Sequence, residues 1–137
     1  MEEERERDVL SRRIIGAAIS VHRVLGPGLL ESVYEACLAE ELKRRGVPSL
    51  TQVKLPVTYK GLEVREAFRI DILVADSIVV EVKAVAALKP VHRAQLLTYL
   101  RLSGHHLGLL LNFQETRLVD GIRRLVNGFP KRPGAAA

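Results

Sequence analysis

The sequence is poor in the residues that would staple or anchor it. Its 137 residues include one cysteine, Cys37, which excludes an internal disulfide and any zinc site built on several thiolates. Cys37 falls on the apolar stripe of a helical segment, where a thiol acts as a small buried hydrophobe. No run of about 18 uncharged apolar residues is present, so no membrane-spanning helix is expected. The N-terminus opens on acids and arginines without the apolar stretch of a secretory signal, which points to a cytoplasmic protein. Also missing are a phosphate-cradling glycine loop, a serine in a nucleophile-elbow setting and any internal repeat. The pair His105-His106 has no second ligand pair at metal spacing.

What is present is a globular composition, 47% hydrophobic and 27% charged, sufficient for one domain with an ordinary core. That domain is placed at residues 1–127, with 128–137 as a flexible tail. The net charge of +5 is uneven. Residues 1–8 hold five acids and two arginines, a net of −3, which leaves +8 on residues 9–137. A body this basic favours polyanions, nucleic acid first among them.

Apolar residues at Leu10, Ile14, Ala17, Ala18, Val21 and Leu25 follow one helical face, closed by Gly26-Pro27-Gly28. A second helix buries Leu30, Val33, Tyr34, Cys37, Leu38 and Leu42 and ends at Gly46 and Pro48. Strands are expected at about 50–59, 63–74 and 78–83, with a turn at Tyr59-Lys60-Gly61-Leu62. Pro56, lacking an N–H, assigns the first of these to a sheet edge or a bulge. A helix runs from about Pro90 to Ser103, stopped by Gly104. Leu107–Leu111 reads as a buried strand, and Val119–Val126 as a short terminal helix. The order predicts an α/β fold, a mixed four-stranded sheet flanked by helices, with an extra helix at the N-terminus.

The chemistry concentrates in the hairpin from Phe68 to Lys83. Asp71, Glu81 and Lys83 interrupt runs of Ile70, Ile72, Leu73, Val79, Val80 and Val82 that read as buried on both faces. On an exposed edge strand such charges would form a surface ion-pair cluster. Inside a sheet, burying unpaired carboxylates costs several kcal/mol each. A three-residue loop at Ala75-Asp76-Ser77 pairs Val74 with Ile78 and sets Asp71 opposite Glu81, where like charges repel. A divalent cation would compensate, and two carboxylates suit Mg²⁺ (or Mn²⁺), which keeps waters and takes further ligands from substrate phosphates. Lys83 shares the face of Glu81 and could orient or deprotonate a water, or hold charge developing on phosphorus.

The flanking helices offer further groups. Glu31 lies at the edge of a buried stripe in a first turn, where it suits the helix dipole and could equally supply a third carboxylate. Tyr34 shares that face, as core or as a hydroxyl donor. His92, Gln95 and Tyr99 recur at i, i+3 and i+7, forming one polar stripe. Tyr34, His92 and Arg69 are the candidate substrate contacts.

Ile70-Asp71, nine residues and then Glu81-Val82-Lys83 resemble the D…ExK signature of the PD-(D/E)xK nuclease superfamily. Gln95-x-x-x-Tyr99 resembles the QxxxY element of one of its branches. Gly28-Leu29-Leu30-Glu31-Ser32-Val33-Tyr34, Pro56-Val57-x-Tyr59-Lys60-Gly61 and the segment from Pro90 to Leu100 resemble the GxxExxY family within that superfamily. The likeness covers roughly residues 10–127. It implies a restriction-endonuclease-like αβββαβ core and Mg²⁺-dependent phosphodiester hydrolysis, of DNA in the first instance. It implies Asp71 and Glu81 as metal ligands, with the Val82 carbonyl and Glu31 as further ones. Lys83 would be the catalytic lysine, with Gln95 and Tyr99 in support. Arg93 departs from the acid that often follows the histidine in that family. The superfamily contains members that do not cleave, so a nucleic-acid-binding or assembly module is the alternative. With so small a chain, specificity could come from a homodimer or a protein partner.

Overall fold

A computed structural model of the chain describes residues 1–128; most of the expected tail, residues 129–137, lies outside the described residues. Three helices, α1 (Glu2–Leu25), α2 (Glu31–Arg44) and α3 (Pro90–Ser103), flank five strands. These are β1 (Ser49–Tyr59), β2 (Leu62–Val74), β3 (Ile78–Lys83), β4 (Leu107–Asn112) and β5 (Ile122–Val126). They form one sheet in chain order. The pair β3–β4 is parallel, bridged by α3, and the other pairs are antiparallel. The restriction-endonuclease-like order αβββαβ is therefore present, with the extra N-terminal helix before it.

Two differences from expectation concern extent. The helical face read from Leu10 is preceded by more helix, since the charged residues 2–8 already belong to α1. The segment expected to be a terminal helix is a short 3-10 turn, Leu118–Gly121, followed by β5, so the sheet has five strands and not four. Val119, Ile122, Leu125 and Val126 fit a helical spacing, but the open edge of β4 supplies hydrogen bonds and selects the strand.

Alternation along β3 and β4 builds the core on both sheet faces. Ile78, Val80, Val82, Leu107, Leu109 and Leu111 pack with Ile14, Ala17 and Val21 of α1 and Tyr34, Leu38 and Leu42 of α2. Val79 and Leu110 pack on the other side with Leu96 and Leu100 of α3. α3 lies so close to β4 that a Cβ on Gly108 would stand 2.9 Å from the Leu96 Cδ1. β1 is the edge strand that Pro56 called for, and its register shifts between Leu55 and Val57. Among the described residues no helix is long and apolar enough to cross a membrane.

Candidate active site

The site grows from the hairpin turn. Ala75 and Asp76 both take positive φ, 51° and 49°, as the turns that match strand twist require. The Ser77 N–H closes the turn on the Val74 carbonyl at 2.9 Å. Pairing then proceeds Val74–Ile78, Leu73–Val79, Ile72–Val80 and stops. One more step would pair Asp71 with Glu81. There the side chains take over the backbone's hydrogen bonds. The Val82 N–H donates to the Asp71 Oδ2 at 2.9 Å, and the Asp71 N–H donates to the Glu81 Oε1 at 3.3 Å. The two strands fork, and the two carboxylates sit in the fork.

Alternation alone does not place Asp71 there. Phe68 and Ile70 belong to the core under α3, whereas Ile72 and Val74 belong to the core under α1 and α2. Residues two apart on a regular strand share a face, so β2 turns over between Ile70 and Ile72. Across β1 the register skips the same row: Thr51 pairs with Ile72 and Val53 with Ile70, but Gln52 does not pair with Asp71. Gln52 itself has φ of 54°.

Burial dominates the electrostatics. Glu81 is 3% exposed. Its carboxyl is pushed up to about 9, by burial first and then by the charge of Asp71, while Lys83 pulls it down. Without a cation the pair holds a proton near neutral pH. Lys83 is half-buried at the end of β3, and its carbonyl accepts the Phe113 N–H at 2.8 Å.

The flanking groups divide. Glu31 opens α2, and its Oε2 accepts the Ala84 N–H at 3.1 Å, immediately after Lys83. Its carboxylate is beside the fork but does not complete a cage. Among the described residues no three His, Cys, Asp or Glu side chains converge as a ready-made metal cluster. Gln95 donates to the Tyr99 hydroxyl at 3.1 Å. Burial raises the Tyr99 hydroxyl's pKa, and so do the charges of Glu81 and Asp71, which puts this pair beside the acids. Arg69 is exposed, and its charge reaches both Tyr99 and Glu35.

Two expected substrate contacts hold the fold as well. Tyr34 is fully buried, stacked on Phe113 with ring centroids 4.6 Å apart. Its hydroxyl donates to the Gly26 carbonyl at 2.5 Å and accepts the Leu29 N–H at 3.1 Å. It clamps the loop that leads into Glu31. The His92 Nδ1 accepts the Lys89 N–H at 2.9 Å and so caps α3. Val82 reaches the fork through its N–H.

Three residues without a role in the sequence reading join the site. Glu35 on α2 accepts from the Gln52 Nε2 through both oxygens, at 2.7 and 2.8 Å. Its carboxyl is raised chiefly by burial, with Asp71 adding to the shift. Glu35 lies one helical turn beyond Glu31, a spacing that was legible; Gln52 carried no signal. Asn112, fully buried, accepts the Val85 N–H at 3.0 Å and donates to the Val85 carbonyl at 2.9 Å. It holds the chain where it leaves β3. Cavities of about 430 Å³ beside the end of α1 and about 880 Å³ between α2 and β1 are lined without Asp71, Glu81 or Lys83.

The donor set fits a hydrated hard cation better than a closed cage. One buried carboxyl, Glu81, and one half-buried carboxylate, Asp71, offer oxygen ligands and leave other positions to water or phosphate.

Comparison with known proteins agrees with this geometry. The chain matches the family model of the PD-(D/E)XK nuclease superfamily over residues 8–125. No curated protein matches. Among solved structures, the crystal structure of SSO0001 is similar, with a TM-score of 0.56 and 20% identity. The match covers 74% of this chain and 52% of that one, so the chain spans about half its length. At that identity the likeness concerns the fold.

Proposed function

Since the chain belongs to the PD-(D/E)XK nuclease superfamily, we propose that it is a metal-dependent nuclease hydrolysing phosphodiester bonds of nucleic acid, DNA in the first instance. The resemblance of the motif around Gly28, Glu31 and Tyr34 supports the GxxExxY branch within that superfamily. Nucleases of this superfamily usually use divalent metals. The observation that carries the reading is the fork. Asp71, half-buried, and Glu81, buried, give up regular strand pairing at the same level of the hairpin, with Lys83 two residues on.

Asp71 and Glu81 would hold Mg²⁺ or Mn²⁺, with Glu31 and the Val82 carbonyl as further ligands. The bound ion supplies Lewis-acid stabilisation of charge on the scissile phosphate. The protein's own groups do the rest. Lys83 positions the attacking water and faces the charge that grows on the phosphoryl oxygens. Gln95 and Tyr99 wall the pocket beside Glu81, and Arg69 meets a neighbouring phosphate. Residues 1–127 act as one domain, and the basic body brings the polyanion in.

The test is cleavage of labelled single- and double-stranded DNA and RNA with Mg²⁺ or Mn²⁺ against EDTA. Asp71→Asn and Lys83→Ala are each expected to lose about 10²- to 10⁴-fold in rate while keeping the far-UV circular dichroism of the wild type. Undiminished cleavage by either variant would sink the mechanism. A second reading, a non-cleaving module that binds nucleic acid, draws on the basic body alone, +8 over residues 9–137. It expects salt-sensitive binding and no EDTA-sensitive turnover on any of these substrates.

A further inference from the structure

α2 turns two acids toward the open end of the sheet, and the proposed mechanism uses one. Glu31 and Glu35 stand at i and i+4, where like charges destabilise a helix. Their partners are amides on different strands. Glu31 meets the Ala84 N–H at the end of β3, and Glu35 meets the Gln52 side chain on β1. Asp71 of β2 lies between those strands.

Gln52 is unusual in its own right. Its φ of 54° is in the left-handed region, which strains a residue of this type and persists only where the surroundings hold it. It occupies the row of Asp71, between the pairs Thr51–Ile72 and Val53–Ile70. β2 turns over at that same row. Three irregularities therefore coincide at one level of the sheet: the skipped Gln52–Asp71 pair, the turnover of β2, and the end of β2–β3 pairing.

We infer that Gln52 is a positioning residue of this site, whose amide holds the Glu35 carboxylate beside Asp71 and so restricts Asp71 to the orientation that meets the Val82 N–H. The inference rests on the reading of Asp71 and Glu81 as cation ligands. The perturbation of Glu35 by Asp71 agrees with their proximity. Groups that orient a metal's ligands are typically worth about 10- to 100-fold in metal affinity. If Gln52 merely clipped α2 to β1, its loss would lower stability and leave cation binding alone.

Mn²⁺ titration of the full chain by calorimetry, alongside thermal melting in EDTA, separates the two roles. Gln52→Ala and Glu35→Ala are expected to bind Mn²⁺ about 10- to 100-fold more weakly than wild type. Gln52→Gly is the decisive variant, because glycine accepts the positive φ without strain while removing the amide. It should melt at or above the wild-type temperature and still show the weakened Mn²⁺ binding. Wild-type affinity in Gln52→Gly overturns the inference. A wild-type protein that binds no Mn²⁺ overturns instead the cation reading beneath it.

Discussion

A carboxyl that is 3% exposed beside a second carboxylate can be neutralised by a proton or by a cation. Glu81 therefore links the cation to pH. Its pKa rises from 4.5 in the reference state to about 9 in the fold, so the folded, cation-free protein keeps a proton that the unfolded chain releases. Between those values the native state binds more protons, and stability falls as pH rises. The contribution is fully present below about pH 4.5 and is lost as pH climbs through about 9. A cation takes the proton's place, so the rise in melting temperature on adding Mn²⁺ should grow with pH across that window. Glu81→Gln should melt higher than wild type in EDTA at alkaline pH and lose the Mn²⁺ response. Melting curves at about pH 5 and about pH 9 check both statements, and equal Mn²⁺ shifts at the two would contradict them. Tyr34 carries a different lesson at this scale. Its place in the motif suggested a contact with substrate, but stacking on Phe113 and two loop hydrogen bonds use the whole side chain.

At the scale of elements, the site depends on how β3 ends. The parallel pair β3–β4 finishes at Lys83 and Asn112, and ligands of open α/β sheets gather beyond the carboxyl ends of such strands. The Asn112 side chain satisfies both the N–H and the carbonyl of Val85, fixing the exit on which Lys83 and Ala84 depend. Asn112→Ala would leave the part-buried N–H and carbonyl of Val85 without a protein partner, each costing at most about 1–3 kcal/mol. The variant is expected to shift the urea midpoint downward and to weaken Mn²⁺ binding as the exit loosens. An unchanged midpoint would show that water replaces the amide without loss. The order of helices and strands up to β4 was legible in the sequence, because helical spacing, strand alternation and turn residues act over a few neighbours. The strand β5 was not. Its residues tolerate either state, and the choice falls to pairing with β4, to which the chain returns through residues 113–121.

For the molecule as a whole, the acid pocket sits in a basic body. Nucleic-acid affinity should then fall linearly with the logarithm of salt concentration, with a slope of about −0.9 per phosphate neutralised on duplex DNA. Lys83→Ala would serve for such binding measurements without turnover. Arg69→Ala in that background should reduce the slope by about 1, as a phosphate contact would, and leave the melting temperature near that of the parent. Fluorescence anisotropy over a salt series checks this, and an unaltered slope would remove Arg69 from the interface. The exposed pair Asp8–Arg124, at 2.6 Å, joins α1 to β5 and is worth at most about 1 kcal/mol. It is a place where charge can be changed to tune affinity at little cost in stability.

The sequence alone determined how the hairpin is set, and it supplied the residues proposed to carry the chemistry. The loop at Ala75-Asp76-Ser77 is short and local, so Val74–Ile78 pairing followed from it, and apolar neighbours on both sides marked the two acids as interior, which Glu81 is while Asp71 is half-buried. What only the tertiary structure decided is how the acids are held. The arrest of pairing above Ile72–Val80, the turnover of β2 and the recruitment of Glu35 through a strained Gln52 arise because two cores on opposite faces compete for one strand. That competition depends on α1, α2 and α3, which are distant along the chain, so no local pattern of residues encodes it.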